Sequence, residues 1–184
     1  MRGIGDRNIL DDFCIKFSSI VEKHCKYIVV SGFVAISSGR SRATEDIDMI
    51  IERLNMINFG KMHQDLIANG FVCIQSEKPR EIYDYLKNNV AVRYTLKNSP
   101  LPDMEVKFAK DELDMLQIQS RTKLLLTGID VWFSNVNMNI AFKEELLKSD
   151  KDIKDAEHLR KIYPELIDEP EIREYKRIIR EKRL

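Results

Sequence analysis

Cysteine is scarce in this 184-residue chain, and Cys14, Cys25 and Cys73 show no Cys-x-x-Cys spacing. An odd, scattered set excludes a disulfide framework and predicts free thiols in a reducing cytoplasm. Histidine is equally sparse: His24, His63 and His158 are too dispersed to form a zinc-ligand pattern. Net charge is missing as well. Thirty basic residues offset thirty acidic ones, so bulk charge indicates neither a nucleic-acid nor a membrane partner. No apolar run approaches membrane-span length, and Met1 to Asp6 lack the core of a signal peptide. The expectation is a cytoplasmic protein with no membrane partner. Internal repeats, low-complexity tracts and Gly/Ser/Pro-rich linkers are absent too. What remains, 43% hydrophobic and 33% charged residues, suits one globular domain with room for a helical appendage.

Hydrophobic spacing supplies the elements. Residues 8–24 read as a helix, with Ile9, Leu10, Phe13, Phe17, Ile20 and Val21 on one face. Tyr27–Val30 is a strand broken at Ser31-Gly32, residues 33–38 begin a helix ending near Gly39, and Ile47–Ile51 forms a second strand. Phe59–Asn69 reads as a helix with Gly70 as its stop. Strands are predicted over Phe71–Ile74, Val90–Leu96, Met104–Phe108 and Gly128–Phe133, with a turn over Asn98–Pro102. Helices are predicted near 140–148 and 151–162 and after Pro170. The outline is α+β: a small mixed sheet flanked by helices, followed by a C-terminal helical extension.

The informative stretch runs from Ser31 to Met49. In a strand, residues two apart share a face, so Asp46 and Asp48 present paired carboxylates. Two such charges side by side call for a cation between them, and magnesium favours carboxylate and phosphate oxygens. Upstream, a strand that passes through Ser31-Gly32 into a helix offers backbone amides to a phosphate. Arg42 and Thr44 stand just before the carboxylates.

Gly32, Gly39, Arg42, Thr44, Asp46 and Asp48 together resemble the signature of the nucleotidyltransferase superfamily, the polymerase-beta-like and minimal nucleotidyltransferases. More narrowly, Arg-x-Thr-x-Asp-Ile-Asp resembles the group that includes abortive-infection-type toxins. Ser31 departs from the pattern, standing where the first glycine of a pair is usual. Downstream, Lys143 followed by Asp152 and Asp155 is similar to the C-terminal helices of that group, where a lysine faces the triphosphate. The resemblance implies a core over 1–135 and a C-terminal helical segment over 136–184, packed as one unit. It implies two magnesium ions on Asp46 and Asp48, with a third carboxylate from a neighbouring strand. Glu105, between Met104 and Val106, is the candidate for that place, and Asp103 is close enough to contest it. Ser31, Gly32, Arg42, Thr44 and Lys143 would then bind the nucleoside triphosphate.

Simpler readings stand beside these. Glu105 equally fits a half-exposed strand, Lys143 a solvated helix, and Asp152 and Asp155 an acidic helix start. The tail from Glu171 to Leu184 carries a surplus of basic residues, but Ile172, Tyr175, Ile178 and Ile179 mark a packed helix face. The resulting expectation is a magnesium-dependent enzyme that moves a nucleoside monophosphate to an acceptor hydroxyl. RNA and protein are the acceptor classes in view, and an antitoxin is a candidate partner. The alternative is a nucleotide-binding or regulatory module without transfer activity.

Overall fold

The computed structural model describes residues 8–41 and 46–184. Helix α1 (Ile9–Val21) opens at Asn8, whose side chain accepts from the Asp11 amide while the Asp11 carboxylate accepts from the Asn8 amide. This reciprocal cap satisfies two amides that the first helical turn leaves free. Strand β1 (Tyr27–Val30), the short helix α2 (Gly32–Ser37) and strand β2 (Asp46–Ile51) follow. Then come α3 (Met56–Ala68), β3 (Phe71–Cys73), α4 (Pro79–Lys87), β4 (Val92–Leu96) and β5 (Ser99–Phe108). The remaining helices are α5 (Glu112–Gln119), α6 (Val136–Phe142), α7 (Asp150–Ile162) and α8 (Glu169–Arg183). Gly70 ends the α3 connection at φ 88°, a conformation glycine tolerates best.

The strands form one mixed sheet in the order β1-β2-β5-β4-β3, in which only the β2–β5 pair is parallel. Alternation sorts its two faces. Ile47, Met49 and Ile51 of β2 and Met104, Val106 and Phe108 of β5 point into the core. There Phe71 meets Phe13 and Phe17 edge-on, with ring centroids 5.5 and 5.1 Å apart. Each such ring contributes about 2–3 kcal/mol on burial. On the opposite face, α5 covers Ile28 and Ile50 through Ile118 and Met115, leaving the start of β2 uncovered by it. Ile172, Tyr175 and Ile179 of α8 are buried in the main core, as the apolar spacing of the tail predicts. Among the described residues, no helix is long and apolar enough to cross a membrane.

Three predicted elements differ. The Gly128–Phe133 strand does not form: Leu125–Thr127 is a 3₁₀ turn, and Phe133 alone bridges Val29 and Thr122. Ile129, Val131 and Phe133 are buried alternately as the pattern suggests, but the segment meets the sheet only at Val29, beside the β1 edge. The turn over Asn98–Pro102 is shorter than predicted, because the chain reverses at Asn98 (φ 67°) and β5 starts at Ser99. Pro100 and Pro102 lie where the β4–β5 register shifts, between the Leu96–Ser99 and Thr95–Asp103 pairs. Prolines suit that irregularity because they have no amide to donate. The helix predicted near 140–148 begins earlier, at Val136, and converts to a π-helical turn over Lys143–Leu147. Helices α4 and α5 have no counterpart among the predicted elements.

Candidate active site

Register brings the acidic residues together. Asp46 pairs with Asp103 and Asp48 with Glu105 across the parallel β2–β5 junction. Residues paired across strands share a face, so all four carboxylates project to the side of the sheet opposite the core. Glu105 also pairs with Arg93 of β4, which adds a cation to the same face. The Arg93 guanidinium lies 3.0 Å from Glu105, 3.6 Å from Asp103 and 3.7 Å from Asp46. Lys107, two residues beyond Glu105, stands 2.5 Å from it and 4.0 Å from Asp48. Four negative charges thus face two positive ones. Among the described residues, no three His, Cys, Asp or Glu side chains form a ready-made metal cage.

The environments of these carboxylates differ. Asp103 is the most deeply buried, and its Oδ1 has no hydrogen-bond partner. Burial and then the Asp46 charge push its carboxyl up to about 6, against the pull of Arg93. Burial likewise raises the Asp48 carboxyl; Lys107 and a Ser31 hydrogen bond oppose the shift, while Glu105 and Asp46 add to it. Burial also works against the Glu105 charge, but Lys107 and Arg93 outweigh it and hold that carboxyl below the usual range. Asp103 and Glu105, which the sequence leaves as rivals for one role, therefore differ in character: one favours the proton and the other the charge.

Ser31 links β1 to α2 at φ 66° and ψ −139°, a conformation that favours glycine. The glycine expected from the resemblance would fit this backbone more easily, but serine brings a hydroxyl to Asp48. Gly32 is the first residue of α2, and Gly39 ends that helix at φ 94°. Arg42 and Thr44 lie outside the described residues.

Opposite the sheet, Lys143 is almost completely buried, with its Nζ 2.8 Å from Asp155 and 3.5 Å from Asp152. Asp155 is fully buried and also pairs with Arg40 at the end of α2. The predicted trio of Lys143, Asp152 and Asp155 is thus a single ion-paired cluster. It ties α7 to the turn after α6 and to the chain just before the Asp46 segment. Lys143 also lines a cavity of about 380 Å³ whose other walls include Ser31, Asp48 and Lys107. Phe142, Leu146 and Ile50 give this cavity apolar surface, and Arg183 reaches it from the end of α8.

Arg93, Lys107, Asn139 and Arg183 are absent from the sequence-based candidates. Lys107 was within reach, because it lies two positions beyond Glu105 on the same strand face. Arg93 and Arg183 depend on pairings distant in sequence, and no local spacing announces them.

A five-stranded mixed sheet flanked by helices gives this chain the fold of nucleotidyltransferase-like proteins. Solved structures with this fold include an antigenic nucleotidyltransferase-like protein from Paracoccidioides brasiliensis. It has 15% identity and a TM-score of 0.52, over 92% of this chain and 87% of that one. ANT(2'')-Ia in complex with adenylyl-2''-tobramycin has 14% identity and a TM-score of 0.56, over 96% of this chain and 100% of that one. The solution structure of the antibiotic-resistance factor ANT(2'')-Ia gives 14% identity and a TM-score of 0.53, over 94% of each chain. No protein-family model and no curated protein matches the chain in sequence. The likeness is one of fold.

Proposed function

We propose that this protein transfers a nucleoside monophosphate from a nucleoside triphosphate to an acceptor hydroxyl. The observation that carries the reading is the convergence of Asp46, Asp48, Asp103 and Glu105 on one sheet face, with Asp48 in the wall of a cavity shared with Lys143. The donor chemistry suits a hard divalent cation, because every donor is a carboxylate oxygen brought to one face by the β2–β5 register, although these side chains are not drawn into a cage as they stand. Asp46, Asp48 and Glu105 are the residues that would hold it. Bound magnesium supplies neutralisation of phosphate charge and eases ionisation of the attacking hydroxyl.

The chain's own residues divide the remaining work. The acceptor oxygen bonds to the α-phosphorus while the bond to the bridging oxygen breaks, and pyrophosphate leaves with that electron pair. Asp103, set beside Asp46 by the parallel register, is assigned to take the acceptor's proton. Glu105, held ionised by Lys107 and Arg93, keeps its charge toward the reacting phosphate group's counter-ion. Ser31 orients Asp48 through its hydroxyl and lines the cavity where phosphates would approach, while Gly32 is assigned to the triphosphate on the motif alone. Lys143, fixed by Asp155, offsets phosphate charge from the helical side. Arg42 and Thr44 are assigned to the triphosphate on the motif alone.

A second reading, nucleotide binding without transfer, draws on one observation: Arg93 and Lys107 already hold the carboxylates in ion pairs. The test is magnesium-dependent transfer of label from each α-phosphate-labelled triphosphate to RNA, protein and small-molecule hydroxyl acceptors. ANT(2'')-Ia with its adenylylated tobramycin justifies the third arm. An acceptor labelled by the native protein but not by Asp48→Asn supports transfer and identifies the acceptor class, including the RNA or protein target of a toxin-like enzyme. Triphosphate binding without transfer to any acceptor favours the second reading.

A further inference from the structure

Lys107 stands between two carboxylates, where a cation of higher charge would also be drawn. Its Nζ lies 2.5 Å from Glu105 and 4.0 Å from Asp48, the two residues that face each other across the parallel strands. The side chain is 46% exposed, so its ammonium is held by charge and not by packing. Lys143 is the contrast, 1% exposed and locked against Asp155. Arg93 also touches Glu105, but it comes from β4, on the far side of β5 from Asp48. Lys107 instead lines the cavity together with Asp48, Ser31 and Lys143. Its ammonium offsets the repulsion between Asp48 and Glu105. A divalent cation on the same oxygens leaves it no place there, because like charges so close repel.

We propose that Lys107 is an exchangeable counter-ion: its ammonium leaves Asp48 and Glu105 when a divalent cation arrives, and then binds the phosphates of the nucleotide. The inference rests on the nucleotidyl-transfer reading of this site. Lysine suits such an exchange because its charge sits at the end of a flexible stem. That stem starts on the site face of β5, so a change of side-chain rotamer carries Nζ from the carboxylates toward the cavity without moving the strand. The two binding events then favour each other. Release of Lys107 by the metal strengthens phosphate binding, and capture of Lys107 by phosphates strengthens metal binding by the same factor.

The experiment measures Mn2+ binding to the full chain from the paramagnetic signal of the free ion, since Mn2+ shares magnesium's preference for carboxylate oxygen. It then measures binding of the α,β-methylene analogues of the four nucleoside triphosphates at saturating Mn2+. Lys107→Met keeps the stem and removes the charge. Lys110→Met removes a neighbouring cation from the same cavity wall and leaves the Lys107 contacts in place. Lys107→Met is expected to bind Mn2+ alone about fivefold more tightly than native and the analogues about fivefold more weakly, the upper end for a partly exposed ion pair. Lys110→Met should bind Mn2+ as the native protein does. Circular dichroism checks each fold, and Lys107→Gln replaces the methionine variant if that one does not fold. Unchanged or weaker Mn2+ binding without the Lys107 charge overturns the inference, as does an equal gain in Lys110→Met, the mark of a diffuse charge effect. Undiminished analogue binding overturns it too, because the freed ammonium would then hold no phosphate. In these cases transfer by the native protein leaves the transfer reading standing. The two opposite shifts without transfer to any acceptor support the exchange while overturning the proposed enzyme. If neither Mn2+ nor any analogue binds, both fall.

Discussion

Asp103→Asn should stabilise the protein at neutral pH and do almost nothing at pH 4. The carboxyl rises from the ordinary aspartate value of about 3.9 to about 6 on folding, because it is buried beside Asp46. The folded state therefore keeps a proton that the unfolded chain releases as pH climbs through that interval. Stability from this group is full below about pH 4, declines between roughly 4 and 6, and stays at its lower level above. At about 1.4 kcal/mol per tenfold, the ceiling of the penalty is near 3 kcal/mol. The Arg93 guanidinium opposite is 40% exposed. Solvent screening and relaxation reduce the expected gain from Asp103→Asn to about 1–2 kcal/mol. For a chain of this length that corresponds to a melting temperature about 3–6 °C higher. The assay is thermal unfolding of both proteins from pH 4 to pH 8 in a chelating buffer, with the difference plotted against pH. A difference that opens between pH 4 and 6 bears out the reasoning. A variant less stable throughout, or a gap independent of pH, refutes it, because Asp103 would then be a favourable partner of Arg93 and not a crowded carboxylate.

Asp155→Asn leaves Lys143 and Arg40 facing a neutral amide in a fully buried place, and should cost about 3–5 kcal/mol; a urea midpoint within error of the native value would contradict the ion-paired cluster. Ser31→Gly relieves a positive φ and should stabilise by about 1 kcal/mol net of the lost hydroxyl bond to Asp48. Calorimetry showing a loss instead would mean that the hydroxyl outweighs the strain. Asp48→Asn and Glu105→Gln should each lower transfer by about a hundredfold or more. Asp48→Asn, which removes a carboxyl that burial pushes up, should leave the melting temperature near or above native, whereas Glu105→Gln should lower it because the ion pairs to Lys107 and Arg93 are lost. Equal rates in either variant would remove that residue from the reacting centre.

Much of the architecture is legible in local sequence because its cause is local. Apolar spacing marks α1 and α3, alternation marks β2 and the end of β5, and Gly70 marks a stop through its positive φ. Helix α5 escapes this kind of reading because its apolar residues, Leu113, Met115, Leu116 and Ile118, do not gather on one side. It packs on the outer sheet face through Met115 and Ile118 while Leu113 joins the main core. The supposed strand over 128–133 fails for the opposite reason. Its alternation is real, but a strand also needs a partner along its length, and the sheet offers this segment only Val29.

The Asp-Ile-Asp spacing alone determines that Asp46 and Asp48 share a face, since strand geometry leaves them no other arrangement. The Gly32-to-Asp48 pattern likewise suffices to suggest triphosphate chemistry. Only tertiary structure decides which distant charges meet them. The parallel register sets Asp103 against Asp46 and Glu105 against Asp48, and β4 then delivers Arg93 to the same face. Folding also buries Lys143 against Asp155 and places Asn139 beside it in the wall of the Asp48 cavity. Strand register and helix docking arise from packing across the whole chain, and a one-residue slip of β5 would turn Asp103 and Glu105 into the core and bring Met104 and Val106 to the site face.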